Sequence, residues 1–181
     1  MFFLRYDKIK GLPEAFDTPG VGSNYSHKYV ERTDKAIREF KGGVALFTLP
    51  STPIKCAGAP QKIMYLAEEA WRERGVKADI QFWSSLGVIF GVKKYADALW
   101  EVVKKRGNIS VNLRHNLVEI KPSTKEAFFE NLDTGDKTSV KYDMIHITPP
   151  MEAPACISSN SQLADPAGFL SVNKETLQHT K

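Results

Sequence analysis

The chain contains two cysteines, and their settings differ. Cys56 sits in "PSTPIKCAGAPQKIMYL" (50–66), a Pro/Gly/Ala-rich loop between an apolar run and a segment of helical period. Lys55 precedes it and Lys62 follows shortly after. A helix dipole favours the ionised form of a thiol placed at its N-terminus, nearby ammonium groups add to that preference, and the thiolate is the nucleophilic form of cysteine. The pattern therefore allows nucleophilic or redox sulfur chemistry at Cys56, with Lys55 and Lys62 as thiolate-stabilising candidates. The bland alternative is a free cysteine packed under the loop as a small apolar side chain. Cys156, in "MEAPACISSN", has no comparable setting and reads as an incidental loop thiol. No CxxC occurs, and His27, His115, His146 and His179 are scattered, so neither a metal site nor a disulfide framework is indicated. Among the histidines His146 stands out, because "MIHITPP" closes a strand and runs into Thr148, Pro149 and Pro150.

These residues need a scaffold, and 181 residues suffice for one domain with a genuine core. Hydrophobic residues at 42% and charged residues at 25% are ordinary for a globular protein. No apolar run is long enough to cross a bilayer, and "MFFLRYDKIKGLP" reads as neither a signal nor a transit peptide. The net charge of +4 is dispersed among acids, so nucleic acid is not expected as a partner. The sparse cysteines fit a reducing compartment.

Residues 1–25 read as irregular connector. A helix is expected from a Ser26 cap to Phe40, with Thr33, Ala36, Ile37 and Phe40 on one face and Gly42 and Gly43 ending it. "VALFTL" (44–49) reads as a strand covered on both faces and central in a sheet. Pro60 suits the first turn of a second helix with Ile63, Leu66, Ala67 and Ala70 inside, ended by Gly75. "ADIQFW" is the next strand. A third helix follows with Tyr95, Leu99, Val102 and Val103 on one face, basic residues in its last turn and Gly107 as its stop. Trp71, Trp83 and Trp100 read as packing residues. From Asn108 the period shortens to two, and "ISVNL", "LVEI", "AFFENL" and "VKYDMIHIT" read as strands, with "DTGD" as a hairpin turn. The fold expected is α/β: a nucleotide-binding-like βαβαβ parallel sheet carrying an antiparallel meander. This layout matches flavoproteins built from two dinucleotide-binding domains, here with the FAD domain incomplete.

A nicotinamide site would need GxGxxG after the first central strand and an acid at the end of the second. The loop after "VALFTL" has the single glycine Gly58, and "QFWSSL" ends in Ser84 and Ser85. The slot for a pyrophosphate holds a cysteine loop instead.

That loop, together with "SLGVIFGVKKYADAL", "FFENLD", "MIHITPPM" and "KETLQH", closely resembles the sulfide:quinone oxidoreductases of mitochondrial type, from about Lys8 to His179. The resemblance implies that hydrogen sulfide is oxidised at a redox-active cysteine pair, with FAD as cofactor and ubiquinone as electron acceptor. It places Cys56 at the first active-site cysteine, which carries a persulfide and passes its sulfur to an acceptor such as glutathione or sulfite. Thr148, Pro149 and Pro150 then approach the flavin. The family's second cysteine belongs to a Gly-Asp-Cys context downstream of the position of His179, and its FAD-binding GxGxxG lies upstream of Lys8. The chain therefore reads as the central portion of the enzyme. Residues 1–25 would lead from the FAD domain, 26–150 form the unit carrying the cysteine loop, and 151–181 return toward the FAD domain. The family setting is the mitochondrial inner membrane, with attachment expected only of the full-length protein. The alternatives are an NAD(P)H-dependent flavoprotein disulfide or quinone reductase, and a non-catalytic truncated domain.

Overall fold

The computed structural model describes residues 3–180. Its centre is a five-stranded, wholly parallel sheet in the order β2 (Val21–Gly22), β9 (Met144–His146), β3 (Gly43–Leu49), β4 (Ala78–Ser84) and β5 (Ile109–Leu113). The central position of "VALFTL" follows from its composition. Ala45, Phe47 and Leu49 pack into one core, while Leu46, with Val44 against it, packs into the other. Alternate side chains of an extended strand point to opposite faces, so a strand with apolar residues on both faces must be covered on both.

One face is covered by α1 (Val30–Glu39), α2 (Ala59–Glu73) and α3 (Lys93–Arg106), which contribute Ala36, Met64, Trp71 and Val103 to that core. The other face is covered by an antiparallel three-stranded meander, β6 (His115–Lys121), β7 (Glu126–Asn131) and β8 (Lys137–Lys141), and by the N-terminal segment. That segment holds β1 (Phe3–Leu4) and two 3₁₀ turns, Tyr6–Lys8 and Glu14–Asp17. Its Tyr6, Ile9, Ala15 and Phe16 are all buried, with Phe16 stacked on Tyr29 at 3.7 Å. β1 pairs antiparallel with β10 (Met151–Glu152), so the entering and leaving segments run side by side; a short α4 (Ala155–Ser158) follows.

The expected α/β architecture is present, with several local differences. α1 runs from Val30, preceded by a turn in which the expected cap Ser26 does accept, its Oγ from the Lys28 N–H at 3.2 Å and its carbonyl from the N–H groups of Tyr29 and Val30. The inner face of α2 is rotated from the expected stripe. Leu66 is 66% exposed, whereas Gln61, Met64, Glu68 and Trp71 are buried. Gln61 can be inside because its Nε2 donates to the Ile89 carbonyl at 2.6 Å, and Glu68 because it pairs with Arg106 and Arg72. α3 turns Ala96 and Val103 inward and leaves Tyr95, Trp100 and Val102 exposed, the opposite of the expected face at Tyr95 and Val102 and of the packing expected for Trp100. "VKYDMIHIT" is two strands, not one. β8 ends at Lys141, the chain turns at Tyr142 and Asp143, and β9 joins the other sheet. The DTGD turn and the left-handed Gly107 stop (φ 75°) are present as expected.

Gly22 lets α1 press onto the sheet: a Cβ there would meet Thr33 Cα at 2.7 Å and its backbone nitrogen at 2.8 Å. Gly22→Ala is expected to cost on the order of 1–3 kcal/mol through overpacking. Gly91→Ala, with nothing within 4 Å of the new methyl, is expected to be near neutral. Urea denaturation midpoints of the two variants check the contrast.

Candidate functional site

β9 lies between β2 and β3, so the carboxyl ends of these three strands open side by side. The order of connections reverses here, since β3 leads outward to β4 and β5 on one side while β9 and β2 lie on the other. In open α/β sheets such a reversal leaves a crevice at the strand ends. A cavity of about 440 Å³ occupies it, lined by Asn24 and Tyr25 after β2, Cys56 and Lys62 after β3, and His146 at the end of β9, with Ile63 and Leu66 of α2 as an apolar wall.

Cys56 is exposed and adopts φ 54°, in the left-handed region that costs a non-glycine residue about 1–2 kcal/mol. Its carbonyl offsets this cost by accepting two hydrogen bonds. The Ala59 N–H donates at 2.9 Å as α2 begins, and the Tyr25 hydroxyl donates at 3.1 Å. The sulfur faces Lys62, whose Nζ lies 3.3 Å from Sγ. The remainder of the loop is tied to the segment after β9. Thr52 Oγ1 accepts from Met151 N–H at 2.8 Å, and the Lys55 N–H contacts Met151 Sδ at 3.3 Å. Of the two candidate lysines, Lys62 meets the sulfur, while Lys55 also lines the cavity and contributes a backbone contact and an exposed side chain.

His146 is fully buried, and its Nε2 accepts from the Asn24 N–H at 3.0 Å. This acceptor role leaves Nδ1 to carry the ring proton of the neutral form, and Nδ1 has no partner among the described residues. Burial holds the imidazole neutral and pushes its pKa down to about 4. Burial, followed by the nearby Cys56, raises the pKa of the Tyr25 phenol well above its usual range, so it remains a hydrogen donor. Thr148 is buried, with its N–H bonded to Thr48 Oγ1 at 3.1 Å and its hydroxyl beside the Tyr25 phenol. Pro149 is buried, and the carbonyl of the half-buried Pro150 accepts from the Arg5 N–H at 2.8 Å. Cys156 lies exposed in α4. His115 bonds the Leu113 carbonyl, and His179 the Leu163 carbonyl. Among the described residues no cluster of His, Cys, Asp and Glu could hold a metal ion, and no helix is long and apolar enough to cross a membrane.

Sequence reasoning singled out the loop but missed Tyr25 and Asn24, which lie in a stretch that reads as connector. The available signal was an aromatic and a short polar residue directly after the tight Gly-Val-Gly run (20–22).

Comparison with known proteins adds the following. No family model matches the chain. The chain is 58% identical over 98% of its length to the mouse protein "Sulfide:quinone oxidoreductase, mitochondrial", 40% of which it covers. The proteins of the same name from Dictyostelium discoideum and Schizosaccharomyces pombe are 49% and 40% identical over 98% and 99% of the chain, covering 39% and 40% of their lengths. The chain thus spans about two fifths of the curated relatives it matches, and the resemblance read from the cysteine loop holds along nearly all of it. The crystal structure of the sulfide:quinone oxidoreductase from Aquifex aeolicus superposes with a TM-score of 0.74 at 18% identity, over 95% of this chain and 40% of that one. A chain in the cryo-EM structure of Tetrahymena thermophila mitochondrial ATP synthase gives 0.81 at 22% identity, over 98% of this chain and 45% of that one. These two likenesses concern the fold.

The neutral, buried His146 sets a pH dependence. Its folded pKa lies below the unfolded value of about 6.5, so the unfolded chain binds the extra proton. Its contribution to stability is complete above the unfolded value and is lost as pH falls toward about 4. The wild-type unfolding free energy is expected to fall over that window more than that of His146→Gln, by a difference on the order of 2–3 kcal/mol. Paired urea titrations at pH 7 and pH 4.5 check it.

Proposed function

We propose that this chain is the central portion of a mitochondrial sulfide:quinone oxidoreductase, in which hydrogen sulfide attacks a sulfur bridge between Cys56 and a partner cysteine of the full-length enzyme, leaving Cys56 as a persulfide and the partner as the departing thiolate, whose electron pair bound FAD would accept. The observation that supports this reading most strongly is the placing of Cys56 in a chain so similar to the mouse enzyme. Its sulfur is exposed, contacts the Lys62 ammonium, and borders a cavity at the carboxyl edge of the sheet. An ammonium at that distance stabilises negative charge on sulfur, which both the attacking and the departing sulfur of thiol–disulfide exchange require.

In this reading the sulfur site is carried by the unit 26–150 together with β2, Asn24 and Tyr25 from the segment before it, and the flanking segments 1–25 and 151–181 lead to and from a flavin-binding domain. The pairing of β1 with β10 supports that division. FAD, when bound, supplies acceptance of an electron pair and its delivery to ubiquinone. The residues at the end of β9 fit the polar edge of a flavin, since the His146 Nδ1 proton is buried without a partner among the described residues. They do not offer a pyrophosphate cradle, because the loop after β3 has Gly58 as its single glycine. The phosphate half of FAD is thus assigned to other parts of the enzyme. Within the cavity, Ile63 and Leu66 limit water on the α2 side, and Tyr25 and Ala59 fix the Cys56 carbonyl. The sulfane sulfur leaves to a small acceptor, glutathione or sulfite, and the enzyme works at the mitochondrial inner membrane.

In the intact enzyme Cys56→Ser is expected to lower sulfide-dependent quinone reduction by more than about a thousandfold, as when a group bonded to the substrate is removed. Turnover within tenfold of wild type would remove Cys56 from the reaction.

A further inference from the structure

We propose that Tyr25 is a positioning residue for Cys56, its buried phenol holding the cysteine carbonyl so that the sulfur stays turned toward Lys62. The inference rests on the role of Cys56 proposed above. Four observations support it.

Tyr25 is 9% exposed, yet its hydroxyl reaches across to the Cys56 carbonyl at 3.1 Å, linking the loop after β2 to the loop after β3. Cys56 is in the left-handed conformation, from which a residue other than glycine departs unless its surroundings retain it. The only other hydrogen bond to that carbonyl among the described residues comes from the Ala59 N–H at the start of α2, three residues further along the chain. Tyr25 is the group that ties the Cys56 carbonyl to the loop after β2, while Thr52 and Lys55 tie the preceding part of the loop to the segment after β9.

Tyr25 is itself anchored. Its neighbour Asn24 donates its N–H to His146 Nε2, and the Tyr25 N–H faces Ser23 Oγ at 3.4 Å, while Ser23 Oγ and Tyr6 Oη lie 2.7 Å apart. Tyr6 stacks edge-on against Phe16 and Tyr29 in the core. A continuous set of contacts thus runs from the core through Ser23, Asn24 and Tyr25 to the carbonyl of the exposed cysteine. The sulfur end of the same residue is met by Lys62 from α2. Cys56 is held from two sides, by its carbonyl from the loop after β2 as well as from Ala59, and by its sulfur from Lys62 of α2. The phenol stays protonated through the physiological range because of its burial, so the restraint is not lost when the sulfur carries negative charge.

Tyr25→Phe keeps the ring and removes the hydroxyl. In the intact enzyme, purified with its cofactors and reduced so that Cys56 is a free thiol, Cys56 is expected to react with iodoacetamide about fivefold more slowly, the effect of one lost hydrogen bond. The Cys156 peptide of the same sample serves as internal reference and is expected to be unchanged. The kcat for sulfide oxidation, expressed per enzyme-bound flavin so that loss of folded protein does not lower it, is expected to fall by a similar factor with the KM for quinone unaltered. An unchanged or faster Cys56 alkylation, or an unchanged kcat, overturns the positioning role. Failure of the underlying reading has a different signature, namely that Cys56→Ser itself retains turnover.

Discussion

Everything at the candidate site depends on the parallel pairing of β9 with β3 on one side and β2 on the other. These strands are brought together from distant parts of the chain, with β9 following the meander that covers the opposite face. The pairing is strongly specified. Ile145 and Ile147 belong to one core and Met144 to the other, so a slip of one residue would exchange the two sets. Once β9 is in place its end carries His146 to the Asn24 N–H, and its continuation supplies the partners of Thr48 and Thr52. Three loops that share no local sequence are thereby fixed around one cavity.

The groups in that cavity are held in defined charge states by simple means. His146 is neutral because it is buried without a carboxylate to pair its proton. Tyr25 keeps its proton for the same reason, with Cys56 adding to the effect. Lys62 supplies the one ammonium shown in contact with the sulfur. A pyrophosphate in the same slot would need glycines for close backbone approach, and the sequence spends those positions on Pro53, Ile54, Lys55 and Cys56. A loop that bulky cannot admit a phosphate closely, but it can carry a side chain with chemistry of its own out to solvent.

The parts of this arrangement that are legible in the sequence are the ones with local causes. An unbroken apolar run marked β3 as central, Gly107 ended α3, and the cysteine loop stood out by its prolines and lysines. The inner faces of α2 and α3 were not legible, because apolar residues alone do not say which stripe is covered. Glu68 and Gln61 are inside since Arg106 and the Ile89 carbonyl reach them from other elements, and Leu66 borders the cavity instead. The break at Tyr142 and Asp143 was hidden within a run that alternates like one strand, although its halves serve different sheets. Tyr25 was missed for a related reason. Its role comes from the Cys56 carbonyl, a partner set by topology and invisible to any local pattern.

The role of Cys56 is tested most directly by a single-turnover experiment on the intact enzyme without sulfur acceptor, followed by peptide mass spectrometry. The peptide containing Cys56 is expected to gain the mass of one sulfur atom after sulfide addition, to lose it when sulfite is supplied, and to do so while the Cys156 peptide stays unmodified. A gain of sulfur at another cysteine with Cys56 unchanged would contradict the account.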